Sequence, residues 1–242
     1  MLLERVLPSW GEFFRTTLHM EGAYCAVYLD PRPETAGRLL ESLEPIDLPG
    51  TMRFIARSVR GELELTRGNV RTAALIQRVS LRYAGNWRSI LGSGSQWELY
   101  ILSMCLVTDV ELSPDDAVEL DARAVRARAT SLLREILSDP APRQRDIPTL
   151  MAFAAAVGLS AVAAEDVGSD RRAVGGELVA TALAVGTNQT CRLLSHDYLR
   201  SRTERLDARA LAQAEERIRS LDRGGLVAHA ADLAGRLAGE VG

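Results

Sequence analysis

The chain has 242 residues, 47% of them apolar, 25% charged and 5% aromatic, with 29 basic and 32 acidic side chains. That composition supports a packed core and excludes a wholly disordered chain. The longest apolar stretch, Leu150–Ala164, is interrupted by Gly158 and Ser160 and is too short for a membrane helix, which needs roughly 18 residues. Met1–Arg15 carries Glu4 and Glu12 without a long apolar run, so no signal peptide is expected.

Helical signals dominate from the start. Pro8-Ser9 precedes Trp10, Phe13, Phe14 and Leu18, spaced for one helical face, and predicts a short amphipathic arm over 1–22 that ends near Glu21-Gly22. Tyr24–Leu29 is the one plausible strand, although its apolar run suits a helix equally; Asp30-Pro31-Arg32-Pro33 closes it. Pro33-Glu34 opens a helix through Leu39, Leu40 and Leu43, stopped before Pro45, and Pro49-Gly50 marks a turn. Further helices are predicted over Met52–Val59, Val70–Tyr83 and Trp97–Val107, with Gly92-Ser93-Gly94-Ser95 as a loop. Ser113-Pro114-Asp115-Asp116 suits a helix start, because Ser113 can cap and the two Asp favour the positive dipole end. That helix should run to about Leu137, and Asp139-Pro140-Ala141-Pro142 is the best boundary in the chain. Beyond it, Pro148 opens an Ala-rich helix, Gly175-Gly176 precedes a helix over Glu177–Val185, and Tyr198–Leu221 is long and charged. Gly224-Gly225 ends that helix, and Leu226–Leu237 is the last. The expected fold is mainly α: an N-terminal arm, then helical lobes over 23–139 and 146–242.

Standard catalytic patterns do not assemble. All basic residues are Arg, which excludes a Schiff-base or phosphate-loop lysine and makes every cation suited to bidentate phosphate or carboxylate contacts. An Arg-for-Lys bias with abundant Ala, Gly and Val also fits a GC-rich genome. His19, His196 and His229 share no metal-ligand spacing. Ser195-His196-Asp197 holds three triad residue types, but neighbours on a helix point about 100° apart and cannot line up. Asp115-Asp116 reads as helix capping rather than a metal pair. Cys25, Cys105 and Cys191 are odd in number and widely spaced, so buried thiols in a reducing, cytoplasmic compartment are expected. No cofactor or metal is expected.

The charge pattern is more informative than the net charge of −3. Residues 51–88 hold eight Arg and two acids, whereas 89–122 hold seven acids and no Arg. Arg53, Arg57 and Arg60 fall within about 60° on a helix wheel, and Arg71, Arg78 and Arg82 within about 40°. Opposite the second set lie Ala73, Ile76, Val79 and Tyr83, expected in the core. Like charges recurring on one ridge cost stability unless an anion or an acidic partner sits there. Tyr83 and Trp87 flank the ridge, where they could stack on bases. The alternative is internal pairing with the acidic block 89–122.

Leu65-Thr66-Arg67-Gly68-Asn69, followed by a cationic helix, resembles the L-T-R-G-N stretch of phlebovirus and tenuivirus nucleoproteins. Leu199-Arg200-Ser201-Arg202-Thr203 resembles an L-R-x-R-T segment late in that family, and the arm around Trp10, Phe13 and Phe14 lies where the family's arm would. The family has a basic residue directly after the Asn; here Val70 stands there, with Arg71 one place later, and residues 84–190 do not align. The resemblance implies an all-helical, two-lobed protein whose arm docks on a neighbouring subunit and whose basic cleft sequesters single-stranded RNA, with Arg67 and Asn69 as matched positions.

The expectation is therefore a non-catalytic, self-assembling, RNA-binding protein. Arg53, Arg57, Arg60, Arg67, Asn69, Arg71, Arg78 and Arg82 would meet the nucleic acid, with Tyr83 and Trp87 stacking. Trp10, Phe13, Phe14 and Leu18 would join copies into a homo-oligomer. The alternative is a helical scaffold or regulatory protein from a GC-rich bacterium, acting through protein contacts.

Overall fold

The computed structural model describes residues 2–28, 32–46, 48, 50–84, 94–112, 122–138, 146–187 and 191–239, with the helix but not the side chains given at 2–14, 50–52, 82–84 and 94–97. The described residues form ten α-helices and no strand, so the protein is mainly α. Two compact units divide it, Met1–Tyr83 and Ala84–Gly242. The expected boundary segment 139–145 lies outside the described residues, and the helices before and after it pack together within the second unit.

The first unit holds α1 (Leu2–Tyr28), α2 (Pro33–Glu41), α3 (Gly50–Thr66) and α4 (Val70–Ala84). Its core gathers Met20, Ala23, Ala26 and Val27 of α1 with Leu40 of α2, Leu43 and Leu48 after it, and Val59 and Leu63 of α3. The α1 residues recur at i, i+3, i+6 and i+7, a helical period, and this decides Tyr24–Tyr28 in favour of helix over strand. Tyr24 and Tyr28 pack against each other one turn apart, with ring centroids at 4.5 Å and planes tilted by 48°. The helix does not stop at Glu21-Gly22. A Cβ on Gly22 would lie 3.1 Å from Leu39 Cδ1, so this glycine serves the close packing of α1 on α2. Pro33 and Glu34 begin α2 as expected, with Pro in the first turn and an acid at the positive dipole end.

The second unit is built around α7 (Ile147–Ala163), whose residues Leu150 to Ala161 are all buried. A helix apolar all round has no solvent face to offer and sits in the interior. It packs against α5 (Gly94–Glu111), α6 (Ala122–Ser138), α8 (Ser169–Val185) and α9 (His196–Ile218), while α10 (Arg223–Gly239) covers α6 and α8. Asp146 caps α7 by accepting from the Thr149 backbone N–H at 3.3 Å and its hydroxyl at 2.5 Å. The expected start of α8 at Glu177 is corrected to Ser169: Gly175-Gly176 lies inside the helix. At Gly158 and Gly175 the backbones of α7 and α8 nearly touch. A Cβ on Gly158 would lie 2.5 Å from the Gly175 carbonyl oxygen, and one on Gly175 would lie 2.8 Å from that of Gly158.

Ser195 starts α9, accepting from the Tyr198 N–H at 3.3 Å and donating to the Arg192 carbonyl at 2.8 Å. That is a capping role and involves no base. The helix breaks at Asp207 (φ −159°, ψ 80°), whose Oδ1 accepts from the Ala210 N–H at 2.9 Å and so caps the second half. Before the break, Tyr198 donates to Glu111 at 2.8 Å, and Arg202 meets Glu111 at 3.0 Å and the Val110 carbonyl at 2.7 Å. After it, Arg217 of α9 and His229 of α10 both meet Glu177 of α8, at 2.7 and 2.8 Å. Burial pushes the Glu177 carboxyl up, and these two hydrogen bonds outweigh it, holding the group below its usual range. In the acidic block, Glu98 accepts a bidentate pair from Arg128 at 2.7 and 3.0 Å. Cys105 is buried, but Cys25 is exposed and Cys191 half-buried, which corrects the expectation of three buried thiols.

Tyr198 offers a direct check of this packing. Burial, with the Glu111 carboxylate beside it, raises its hydroxyl above the ordinary tyrosine range, so it stays a donor throughout neutral and mildly alkaline pH. Tyr198→Phe is expected to cost about 1–2 kcal/mol. Glu111 keeps Arg202, so the urea midpoint should fall while the m-value stays constant.

Candidate anion-binding groove

The turn between α3 and α4 occupies the L-T-R-G-N motif. Gly68 takes φ +82°, a left-handed conformation that a side chain disfavours, and ends α3. The Asn69 N–H reaches back to the Glu64 carbonyl at 2.8 Å and the Gly68 N–H to that of Leu65 at 3.1 Å. The Asn69 carbonyl then accepts from the Ala73 N–H at 3.0 Å, opening α4. Glu64, 7% exposed, ties the turn together: it accepts from Arg67 at 3.1 Å and from the Asn69 amide at 2.7 Å, with Arg60 at 3.8 Å. Arg67 also reaches the Pro33 carbonyl at 3.5 Å. Both motif positions expected to hold nucleic acid are thus engaged by the turn itself.

The ridge expected on α4 does not form as one surface. Arg71 is exposed, Arg78 is 6% exposed, and the side chains of Arg82 and Tyr83 lie outside the described ones, as does Trp87. The helix faces the other way: Ala73, Ala74, Gln77, Arg78 and Ser80 are buried, while Leu75 and Val79 stand 46% and 40% exposed. Ala73 is in the core as expected, but Val79 is not. The physical reason lies in α3. Gly61 leaves a hollow that the Gln77 amide fills, its nitrogen only 2.5 Å from where a Cβ would stand. Beside it, Glu62 is buried, and burial raises its carboxyl to about 8. Glu62 Oε1 and both amide atoms of Gln77 have no hydrogen-bond partner among the described residues.

Arg53, Arg57 and Arg60 behave as the wheel predicts. They line one cavity of about 650 Å³ in the first unit. The same cavity is lined by Leu40, Leu43, Ile46, Leu48 and Ala56, with Pro45 and Glu44. Arg53 donates to the Leu48 carbonyl at 3.0 Å, a neutral acceptor that orients its guanidinium. Arg60 lies 3.7 Å from Glu44 and 3.8 Å from Glu64. The result is a groove with guanidiniums along one wall, Glu44 as the carboxylate of its described lining, and an aliphatic floor. The floor escaped the sequence reading, although Leu40 on α2 and Leu43 just after it carried its signal.

Of the residues expected to join copies, Leu18 is 70% exposed on α1, and the side chains of Trp10, Phe13 and Phe14 lie outside the described ones. Among the described residues, no three His, Cys, Asp or Glu side chains gather as a metal site, and no helix is long and apolar enough to cross a membrane. No family model, curated protein or solved structure matches the chain.

Proposed function

We propose that the chain is a non-catalytic binding protein whose first unit holds single-stranded RNA by its phosphates, through Arg53, Arg57 and Arg60. The observation that carries this reading is the shared wall: three guanidiniums at i, i+4 and i+7 line one groove. Phosphate contacts from such a row supply affinity without base readout. Arg71, exposed at the start of α4, adds to the basic sequence segment 51–88. Assembly into a homo-oligomer through the α1 stripe that contains Leu18 belongs to the same reading.

The test is fluorescence anisotropy of a labelled 20-mer of uridine against salt, with wild type and Arg53→Gln/Arg57→Gln/Arg60→Gln. Wild type should bind with a steep salt dependence. For every phosphate that the triple variant no longer neutralises, the slope should flatten by about 0.7. Wild-type protein that leaves the strand unbound at low salt overturns the reading. A second reading, a helical scaffold acting through protein contacts, is favoured by the exposure of Leu18, Leu75 and Val79. It predicts a nucleic-acid-free oligomer whose stability is indifferent to nuclease.

A further inference from the structure

The groove of the first unit has a feature that phosphate binding along a strand leaves unused. Its floor and far wall are aliphatic: Leu40, Leu43, Ile46, Leu48 and Ala56. None of its described lining side chains is aromatic. Leu40, Leu43 and Leu48 are nearly inaccessible to solvent, whereas Ile46 and Ala56 remain half-buried and open to the cavity. At about 650 Å³ the cavity has the size of a small-molecule site.

We infer that this groove binds a free amphiphilic anion: a phosphate or carboxylate headgroup on an unbranched aliphatic chain. The headgroup meets Arg53 and Arg57, one helical turn apart on α3, and the chain lies over Ile46 and Ala56, the open members of the aliphatic floor. The chemistry of each wall selects one half of the ligand. Guanidinium pairs with phosphate or carboxylate in a bidentate fork and rejects a cationic headgroup. The aliphatic floor offers no hydrogen bonds, so it favours methylenes over a polar body. Glu44, 3.7 Å from Arg60, sets the polarity of that end, where an entering anion meets repulsion. This inference stands apart from the nucleic-acid reading, because it rests on the floor rather than on the arginines alone.

The experiment is isothermal titration of the full chain with butyl, hexyl and octyl phosphate below their micelle concentrations. Inorganic phosphate, octanol and octyltrimethylammonium serve as controls. Affinity should rise by up to about fourfold for each added methylene that is buried. Octanol and inorganic phosphate should each bind at least tenfold more weakly than octyl phosphate, and the cation should not bind. Arg53→Gln/Arg57→Gln should weaken every member of the series by tenfold or more while keeping the dependence on chain length. Ala56→Trp, which fills the groove, should abolish that dependence. A wild-type series with no rise across chain length overturns the inference without any variant being needed. So does octyltrimethylammonium binding as tightly as octyl phosphate. Co-sedimentation with dialkyl-phosphate vesicles separates the sources: protein that pellets with vesicles and ignores the free series overturns binding of a free amphiphile. Uridine 20-mer binding alongside a flat alkyl series removes this inference and leaves the RNA reading intact.

Discussion

Gly158→Val is expected to destabilise the second unit by at least about 3 kcal/mol, the upper range for overpacking a core. The new Cβ would stand 2.5 Å from the Gly175 carbonyl oxygen and 2.9 Å from Val179 Cγ2. A carbonyl oxygen belongs to its helix and cannot swing aside, so α7 and α8 must separate along their length. Separation uncovers the most buried helix of the protein. Gly175→Ala meets the same obstacle from the other side, with the Gly158 carbonyl oxygen at 2.8 Å and Ala161 Cβ at 2.9 Å. Gly176→Ala is the control. Its nearest neighbour is Val162 Cγ2 at 3.9 Å, an ordinary contact, so it should gain up to about 1 kcal/mol from helix propensity. Urea midpoints for the three variants should therefore move down, down and up. A stable Gly158→Val protein would show that the two backbones do not approach this closely.

The second large effect belongs to Glu62. Burial places its carboxyl at about 8 in the folded chain, against 4.5 unshifted. Below 4.5 both folded and unfolded chains hold the proton. Between 4.5 and 8 only the folded chain does, so folding binds a proton and stability falls as pH rises. The stability is fully present below 4.5 and is lost as pH rises through the folded value. At pH 7 that is somewhat under two and a half pH units at about 1.4 kcal/mol each, a loss of about 3 kcal/mol relative to pH 4. Glu62→Gln removes the titration. The wild-type-minus-variant difference in unfolding free energy, measured from about pH 4 to 9, should decline across this window and then level off. Glu62→Leu should be more stable than wild type at neutral pH, because it also removes the unpartnered oxygen. A pH-independent difference would show that Glu62 is solvated.

Much of the helical content was legible in the residues. Pro33-Glu34 and Pro148 mark real helix starts, and the Val70–Tyr83 pattern gives α4 almost to the residue. The errors cluster at glycines. Gly22 and Gly175-Gly176 look like breaks, because glycine is a poor helix former. Gly22 and Gly175 instead sit where another helix comes close, a fact of tertiary packing that local sequence does not carry. The α4 error has a different source. A helix wheel tells which residues share a face, and it grouped Arg71, Arg78 and Arg82 together. Which face points inward depends on the neighbour, and Gly61 receives Gln77 rather than a bulky apolar side chain. The α3 wheel succeeded because Phe54, Val59 and Leu63 take the buried positions of α3 and leave Arg53, Arg57 and Arg60 on the groove side. The groove floor was half legible: Leu40 and Leu43 read as positions of one helix, but their proximity to α3 arginines depends on the path of the chain between α2 and α3.

The break at Asp207 gives α9 two allegiances. Residues before it are fastened to the end of α5 by Tyr198 and Arg202; residues after it are fastened to α8 and α10 through Arg217, Leu211 and Ile218. An unbroken helix would transmit an opening at one end to the other through its hydrogen-bond ladder. Here the ladder is interrupted, and the second half has its own cap. The two halves, joined across the break by the Arg200–Glu215 pair at 2.7 Å, are therefore expected to open with different free energies. In amide exchange the single long helix should appear as two protection classes meeting near residue 207. Mild denaturant should release one segment's amides while the other's remain protected.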